Sequence, residues 1–177
     1  MAPDEIDSSE KSGSNINHTL ESDSGRPVFK TADGRKVYGG GGITPDYIVK
    51  PAKVPGFIYQ FQVKSVFLGY VDDHVSQHQD QMRKEYGSSA NFDKEFKVSD
   101  KMLDELYSRA EKAGIKITRE EFDKNSKYVA MLLKAQIARN IWGNDGWYRV
   151  VLGLDNQFQK ALTLFPEAKR IEGLYKS

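Results

Sequence analysis

The spacing of apolar residues changes near Phe57, and the change divides the chain. Residues 1–26 hold almost no apolar side chains and are rich in Ser, Asp, Glu and Asn. Such a stretch cannot bury enough surface to offset the entropy of ordering, so it reads as disordered, or as a loop severed from its other end. Val28–Phe29 and Lys36–Tyr38 read as short strands around Asp33-Gly34, two residues that tolerate the positive φ of a hairpin turn. Four glycines follow, then Ile43-Thr44-Pro45-Asp46, then the β-like Tyr47-Ile48-Val49, closed off by Pro51 and Pro55.

From Phe57 onward the period is helical. Phe57, Phe61, Leu68 and Val71 recur near helical spacing with Ser65 on the same face. A short helix is expected through Met82, then a loop around Gly87-Ser88-Ser89. Ser99 is placed to cap a helix whose apolar face is Met102, Leu103, Leu106, Ala110 and Ala113, with Gly114 as a left-handed stop and Ile115 packing back. Thr118 has capping-box spacing to Glu121, and the helix it opens should run to about Trp142. Phe122, Val129, Leu133, Ile137 and Ile141 lie along one side, widened by Leu132, Ala135 and Ala138, so more than one neighbour should cover it. Gly143–Gly146 breaks it. Trp147, Val150, Val151, Leu154, Phe158, Ala161, Leu162 and Phe165 predict a second long helix, antiparallel to the first, and Pro166 is expected to open a last short one.

The fold class that follows is mainly α: a bundle of four to five helices preceded by a short β hairpin or strand segment. The expected divisions are 1–27, a disordered or severed acidic loop; 28–54, the β segment; and 55–177, the helical domain.

Composition narrows the chemistry. Hydrophobic residues make up 38% and charged residues 29%, a globular balance, and no run is long enough to span a membrane. The opening residues have neither the basic start nor the apolar stretch of a signal peptide. The absence of Cys excludes disulfides and thiolate chemistry. Residues 1–24 carry six acids against Lys11 alone, so the remainder is more basic than the formal total of +1. Bases and acids alternate along the helices, and the aromatics fall on core faces, so no nucleic-acid surface is read.

Three candidate chemistries fail on their patterns. A phosphate loop needs glycines leading into a helix, whereas Gly39–Gly42 lead into a β-like segment; close backbone approach to another element is the reading kept. His74 and His78 stand at i, i+4, but no Glu follows His74, and a solvated surface explains them. No Ser sits on a Gly-x-Ser-x-Gly turn. No catalytic, metal or cofactor-binding residue is assigned.

The stretch "FKTADGRKVYGGGGITPDYIV", Phe29 to Val49, resembles the segment that follows the catalytic region in carboxy-terminal processing (tail-specific) serine peptidases. Gly34, Arg35, Val37, Tyr38, Gly39, Gly40, Gly41, Gly42, Ile43, Pro45 and Asp46 fall in the family's places, in the four-glycine form of one bacterial branch. "FKVSDKMLDEL" and "LLKAQIARNIWGNDGWYRVVLGLDNQFQKAL" are similar to the helical tail of that branch, including Ala135, Ile137–Arg139, Tyr148 and Asp155. The resemblance covers residues 28 to about 165. It implies the C-terminal part of a periplasmic or cell-envelope peptidase, cut out or encoded as a truncated gene. In the intact enzyme a Lys base would activate a Ser nucleophile upstream, so this chain alone is expected to be inactive. The implied role is dimerisation or substrate gating, with polypeptide substrates in the intact enzyme and a homodimer as the expected assembly. Tyr47–Val49 would be an orphaned strand, expected to pair with a second copy or with the hairpin. Two other readings stay open: an adaptor module that lost its catalytic half, and a hydrolase built from this chain's own residues.

Overall fold

The computed structural model describes residues 25, 27–32, 34, 36–39 and 47–174, the last six by backbone alone. Among the described residues, eight α-helices follow a two-stranded hairpin. The chain divides into two compact units, residues 1–48 with 170–177, and residues 49–169.

In the first unit β1 (Val28–Lys30) pairs antiparallel with β2 (Lys36–Tyr38), matching Val28 to Tyr38, Phe29 to Val37 and Lys30 to Lys36. Gly34 takes φ +81° in the turn, a conformation that disfavours any Cβ, and its N–H donates to the Thr31 carbonyl at 2.9 Å. Asp33, the other half of the turn signal, lies outside the described residues.

The second unit begins with α1 (Phe57–Val63) and α2 (Val66–His74). A 3-10 turn (Ser76–His78) leads to α3 (Gln79–Tyr86) and α4 (Ser89–Glu95). Next come α5 (Asp100–Lys112), α6 (Arg119–Lys124), α7 (Ser126–Val151) and α8 (Asn156–Leu174). α7 is the centre, packed by α2, α3, α4, α5 and α6. Its side chains Val129, Leu133, Ile137 and Ile141 are fully enclosed, as is Phe122 on α6. Two groups of rings fill the spaces around it. Phe57, Phe61, Phe67, Tyr107 and Phe122 meet in one; in the other, Phe92 stacks on Phe96 at 4.5 Å and meets Trp142 at 5.2 Å.

The local signals at the helix ends are satisfied as their chemistry demands. Ser99 Oγ accepts from the Met102 N–H at 3.3 Å, and Thr118 Oγ1 from the Glu121 N–H at 3.2 Å. Gly114, at φ +70°, ends α5 in a Schellman motif: Ile115 N–H reaches the Ala110 carbonyl at 3.0 Å and Gly114 N–H the Glu111 carbonyl at 2.8 Å, with Ile115 buried.

Breaks make the helices shorter and more numerous than the apolar spacing predicts. Ser65 is not a face residue of a continuous helix: at φ 53°, ψ 34° it is left-handed and separates α1 from α2. The reset turns Leu68 outward while Phe61 and Val71 stay buried. The loop expected around Gly87-Ser88-Ser89 is a two-residue break: Gly87, at φ 68°, ends α3, and Ser89 already begins α4. Ser88 caps α4 by accepting from the Asn91 N–H at 3.2 Å. The helix from Thr118 stops at Asn125 and restarts as α7.

At Gly143 (φ 64°, ψ −143°) α7 does reverse. Eight helical residues span about 12 Å, yet a Cβ on Gly146 would lie 2.2 Å from the Ala138 carbonyl oxygen, and one on Gly153 would lie 3.2 Å from Met131. The stretch after Gly143 therefore folds back antiparallel along the stretch before it. Arg83 donates to the Ile141 carbonyl, one of those the break leaves without a helical partner. The antiparallel partner is shorter than expected, because residues 152–155 interrupt the helix read from Trp147 to Phe165. Pro166 opens no new helix; it lies inside α8.

Residues 47–49 form no strand, against the expectation of an orphaned edge. Side chains at the start of α8 take the backbone groups that a ladder would need. Gln157 Nε2 donates to the Val49 carbonyl at 2.6 Å, Asn156 Nδ2 to the Lys50 carbonyl at 2.7 Å, and the Ala52 N–H donates to Asn156 Oδ1 at 2.9 Å. Pro51 has no N–H to give. The described sheet therefore has two strands only.

Candidate interaction surfaces

Of the glycine-motif residues singled out in the sequence, Gly34 and Gly39 are described, whereas Arg35, Gly40, Gly41, Gly42, Pro45 and Asp46 lie outside the described residues. Gly39 closes the hairpin, its N–H donating to the Pro27 carbonyl at 2.8 Å. A Cβ there would meet Phe29 Cε2 at 2.5 Å and Pro27 Cγ at 3.3 Å, so the backbone passes directly under the Phe29 ring. His74 lies against the Tyr70 ring at 4.5 Å.

The polar group most enclosed in the helical unit joins α4 to α7. Lys134 is 7% exposed and Ser89 5%. Lys134 donates to the Asp93 carbonyl, and its ammonium lies 3.1 Å from Asp93 Oδ1. Ser89 Oγ donates to the Asp145 carboxylate and accepts from Arg149 Nε at 3.1 Å. A buried Ser and a buried Lys are thus neighbours in the fold but serve different carboxylates. A guanidinium donating to Oγ draws density from the hydroxyl, and the Lys amine is directed at Asp93. A nucleophile–base pair needs the Ser hydroxyl directed at the base. The arrangement staples α4 to α7 and satisfies its own charges. Lys134 was missed in the sequence although it stands one helical turn from Ile137 on the apolar face; a charge there signals a buried pair.

A cleft of about 560 Å³ between α2 and α5 gathers Lys64, Arg109 and Lys112. Lys64 Nζ donates to the Ala113 carbonyl at 2.5 Å, and Arg109 pairs with Asp73. Gly69 gives Arg109 its room, because a Cβ there would lie 2.6 Å from Nη1. These cations cluster at the C-terminus of α5, where the unpaired carbonyls favour positive charge, so the helix end accounts for them. Glu105, which lines the same cleft, accepts at Oε2 from the Tyr70 hydroxyl at 3.0 Å. Burial, then that carboxylate, holds the Tyr70 phenol above its ordinary range.

A further exposed apolar feature among the described residues is on α8. Asp155 caps it, its Oδ1 accepting from the N–H groups of Gln157 and Phe158, both at 2.9 Å. From there Phe158, Leu162 and Phe165 recur at spacings of 4 and 3, which puts them on one face. All three are exposed, Leu162 at 45% and Phe165 at 59%. Tyr148 and Phe158 line a cleft of about 620 Å³ beside this stripe. Three apolar side chains in one row on a helix face are a candidate contact surface. Among the described residues no helix is long and apolar enough to cross a membrane.

Residues 57–143, just under half of the chain, match the model of a family of unknown function (DUF8443). No curated protein and no solved structure matches the chain.

Proposed function

We propose that this chain is the non-catalytic C-terminal helical region of a carboxy-terminal processing serine peptidase, and that its role is to join two copies of the enzyme through α8. The peptidase part rests on the resemblance of Phe29–Val49 and of the helical stretches to that family. The joining role is carried by one observation, the exposed stripe of Phe158, Leu162 and Phe165. A two-fold interface needs a surface that complements itself. The stripe is nearly palindromic about Leu162, so two antiparallel α8 helices would set Phe158 of each copy against Phe165 of the other. On this reading the intact enzyme works in the periplasm or cell envelope on polypeptide substrates, and the Ser and Lys that cut them lie upstream.

Light scattering coupled to size exclusion tests the assembly. The expected mass is twice the 20.0 kDa of one chain, returning to one chain in Phe158→Ser/Phe165→Ser with unchanged helicity. A strict monomer at the highest soluble concentration would sink the joining role. In-frame Ser and Lys motifs upstream in the genome would support the peptidase origin. A genuine start codon at Met1 would favour an adaptor that lost its catalytic half. Peptide hydrolysis by the purified chain would overturn the non-catalytic reading.

A further inference from the structure

A groove runs between α2 and the first part of α7, as two adjoining hollows of about 310 and 350 Å³ that share Leu68, Gln136 and Arg139. Its floor is apolar, from Phe61, Phe67 and Leu132. Leu68, turned outward by the left-handed Ser65, stands exposed at its edge. Ser65 is the one non-glycine residue with positive φ among the described residues, and it lines the groove. Backbone strain of this kind collects at binding sites.

The rim is built from groups that both donate and accept. Gln62, Gln136 and Asn140 each carry a carboxamide, the side-chain counterpart of a peptide group. Asn140 Oδ1 is buried without a hydrogen-bond partner, and the same amide reaches Ser76 Oγ only at 3.4 Å. That bond is long, so the carboxamide is weakly held and can turn its oxygen to an incoming N–H.

The charge at the rim is one-sided. Arg139 lies over the Trp147 ring at 5.5 Å, and none of the residues lining either hollow is acidic. Stacking orients the guanidinium and leaves its N–H fork open to a carboxylate. The α7 stretch from Leu132 to Asn140 covers about 12 Å, the length of three or four residues of extended chain.

We propose that this groove binds an extended polypeptide segment in which an acidic side chain stands next to an apolar one. The carboxylate meets Arg139, the apolar side chain lies on Leu68 and Phe67, and the backbone bonds to the rim carboxamides. The proposal does not depend on the peptidase reading, because the groove is complete within residues 61–147.

The test uses the full chain, isotope-labelled for NMR, and a panel of five-residue peptides, acetylated at the N-terminus and amidated at the C-terminus, carrying Leu, Val or Phe beside Asp or Glu, with Asn and Gln counterparts. Acidic peptides should produce saturable shifts in the amides of residues 65–71 and 132–140 and in the Arg139 Nε–H. Their affinity should exceed that of the amide counterparts by about tenfold, the ratio that ~1.4 kcal/mol supplies. Arg139→Gln, an exposed change, should remove that difference. Leu68→Ser should weaken acidic and neutral peptides alike. The proposal is overturned by no saturable shift up to millimolar peptide, by equal affinity for acidic and neutral peptides, or by shifts that map to α8 instead.

Discussion

Replacing Gly146 by Ala tests the fold-back at Gly143 directly. A Cβ at position 146 would sit 2.2 Å from the Ala138 carbonyl oxygen and 2.7 Å from its carbon. Carbon–oxygen contacts settle near 3.3 Å, so the two stretches of α7 must part by about 1 Å. Both clashing partners are backbone, so no rotamer change relieves them. Separation would also loosen Ile141 and Val150, which are enclosed beside this contact. Overpacking of this kind costs about 1–3 kcal/mol, and a backbone clash lies at the upper end. Against it stands the gain of about 1 kcal/mol that Ala brings to a helix interior. The net loss should be about 2 kcal/mol. With a urea slope of about 1–3 kcal/mol/M, the midpoint should fall by about 1 M. Far-UV circular dichroism and tryptophan fluorescence report it well, since Trp142 and Trp147 flank the turn. A midpoint equal to or above the parent's would refute the reasoning, because it would mean that helix propensity alone acts at position 146 and the two stretches are not in contact.

Asp155→Ala removes a cap that satisfies two N–H groups and should cost α8 about 1 kcal/mol, read as faster amide exchange in its first turn. Lys134→Ala leaves Asp93 half-enclosed without its cation and opens a hole between α4 and α7; a loss of about 2–4 kcal/mol in denaturant unfolding is expected, with Lys134→Met recovering part of it by refilling the hole. Burial, first of all, holds the phenols of Tyr70, Tyr86, Tyr107 and Tyr128 above the ordinary value of 10.0. Their folded values exceed their unfolded ones, so their contribution to stability is present in full below about pH 10 and is lost as the pH rises beyond it. The thermal midpoint should therefore fall above pH 10, less steeply in Tyr70→Phe.

Local rules carried a large part of the fold. Ser99, Thr118 and Gly114 act at helix ends because their own atoms or φ angles satisfy orphaned backbone groups, and such effects can be read from a few neighbouring residues. The apolar face of α7 was legible because Val129, Leu133, Ile137 and Ile141 repeat at one period. The failures share a different cause: tertiary contacts overrode local pattern. Ser65 carries no left-handed preference, yet the packing of α1 and α2 holds it at positive φ, and only that turn exposes Leu68. The apolar spacing runs unbroken from Trp147 to Phe165, but the fold-back seats Val150 on the core and leaves Phe158, Leu162 and Phe165 outside. Tyr47–Val49 has strand-like residues, but the Val49 carbonyl and the Lys50 carbonyl after it are taken by Gln157 and Asn156, over a hundred residues away. The groove was illegible for the same reason, since it exists only where α2 meets α7.

The matched span from Phe57 to Gly143 has a physical meaning of its own. It begins at the first residue of α1 and ends at the reversal in α7. Every enclosed core hydrophobic residue except Val150 lies within it. The large hydrophobic side chains that stay exposed have the opposite distribution. Apart from Tyr59, Val63 and Leu68, all of those among the described residues lie outside the span, in the hairpin, in residues 47–54, and from Tyr148 to Phe165. Cohesion is therefore concentrated in the middle of the sequence and unsatisfied apolar surface in its flanks. Each half-exposed aromatic in the flanks still has part of the about 1.5–3 kcal/mol of full burial left to gain. The flanks, rather than the span, are therefore where added apolar contact would bury most new surface.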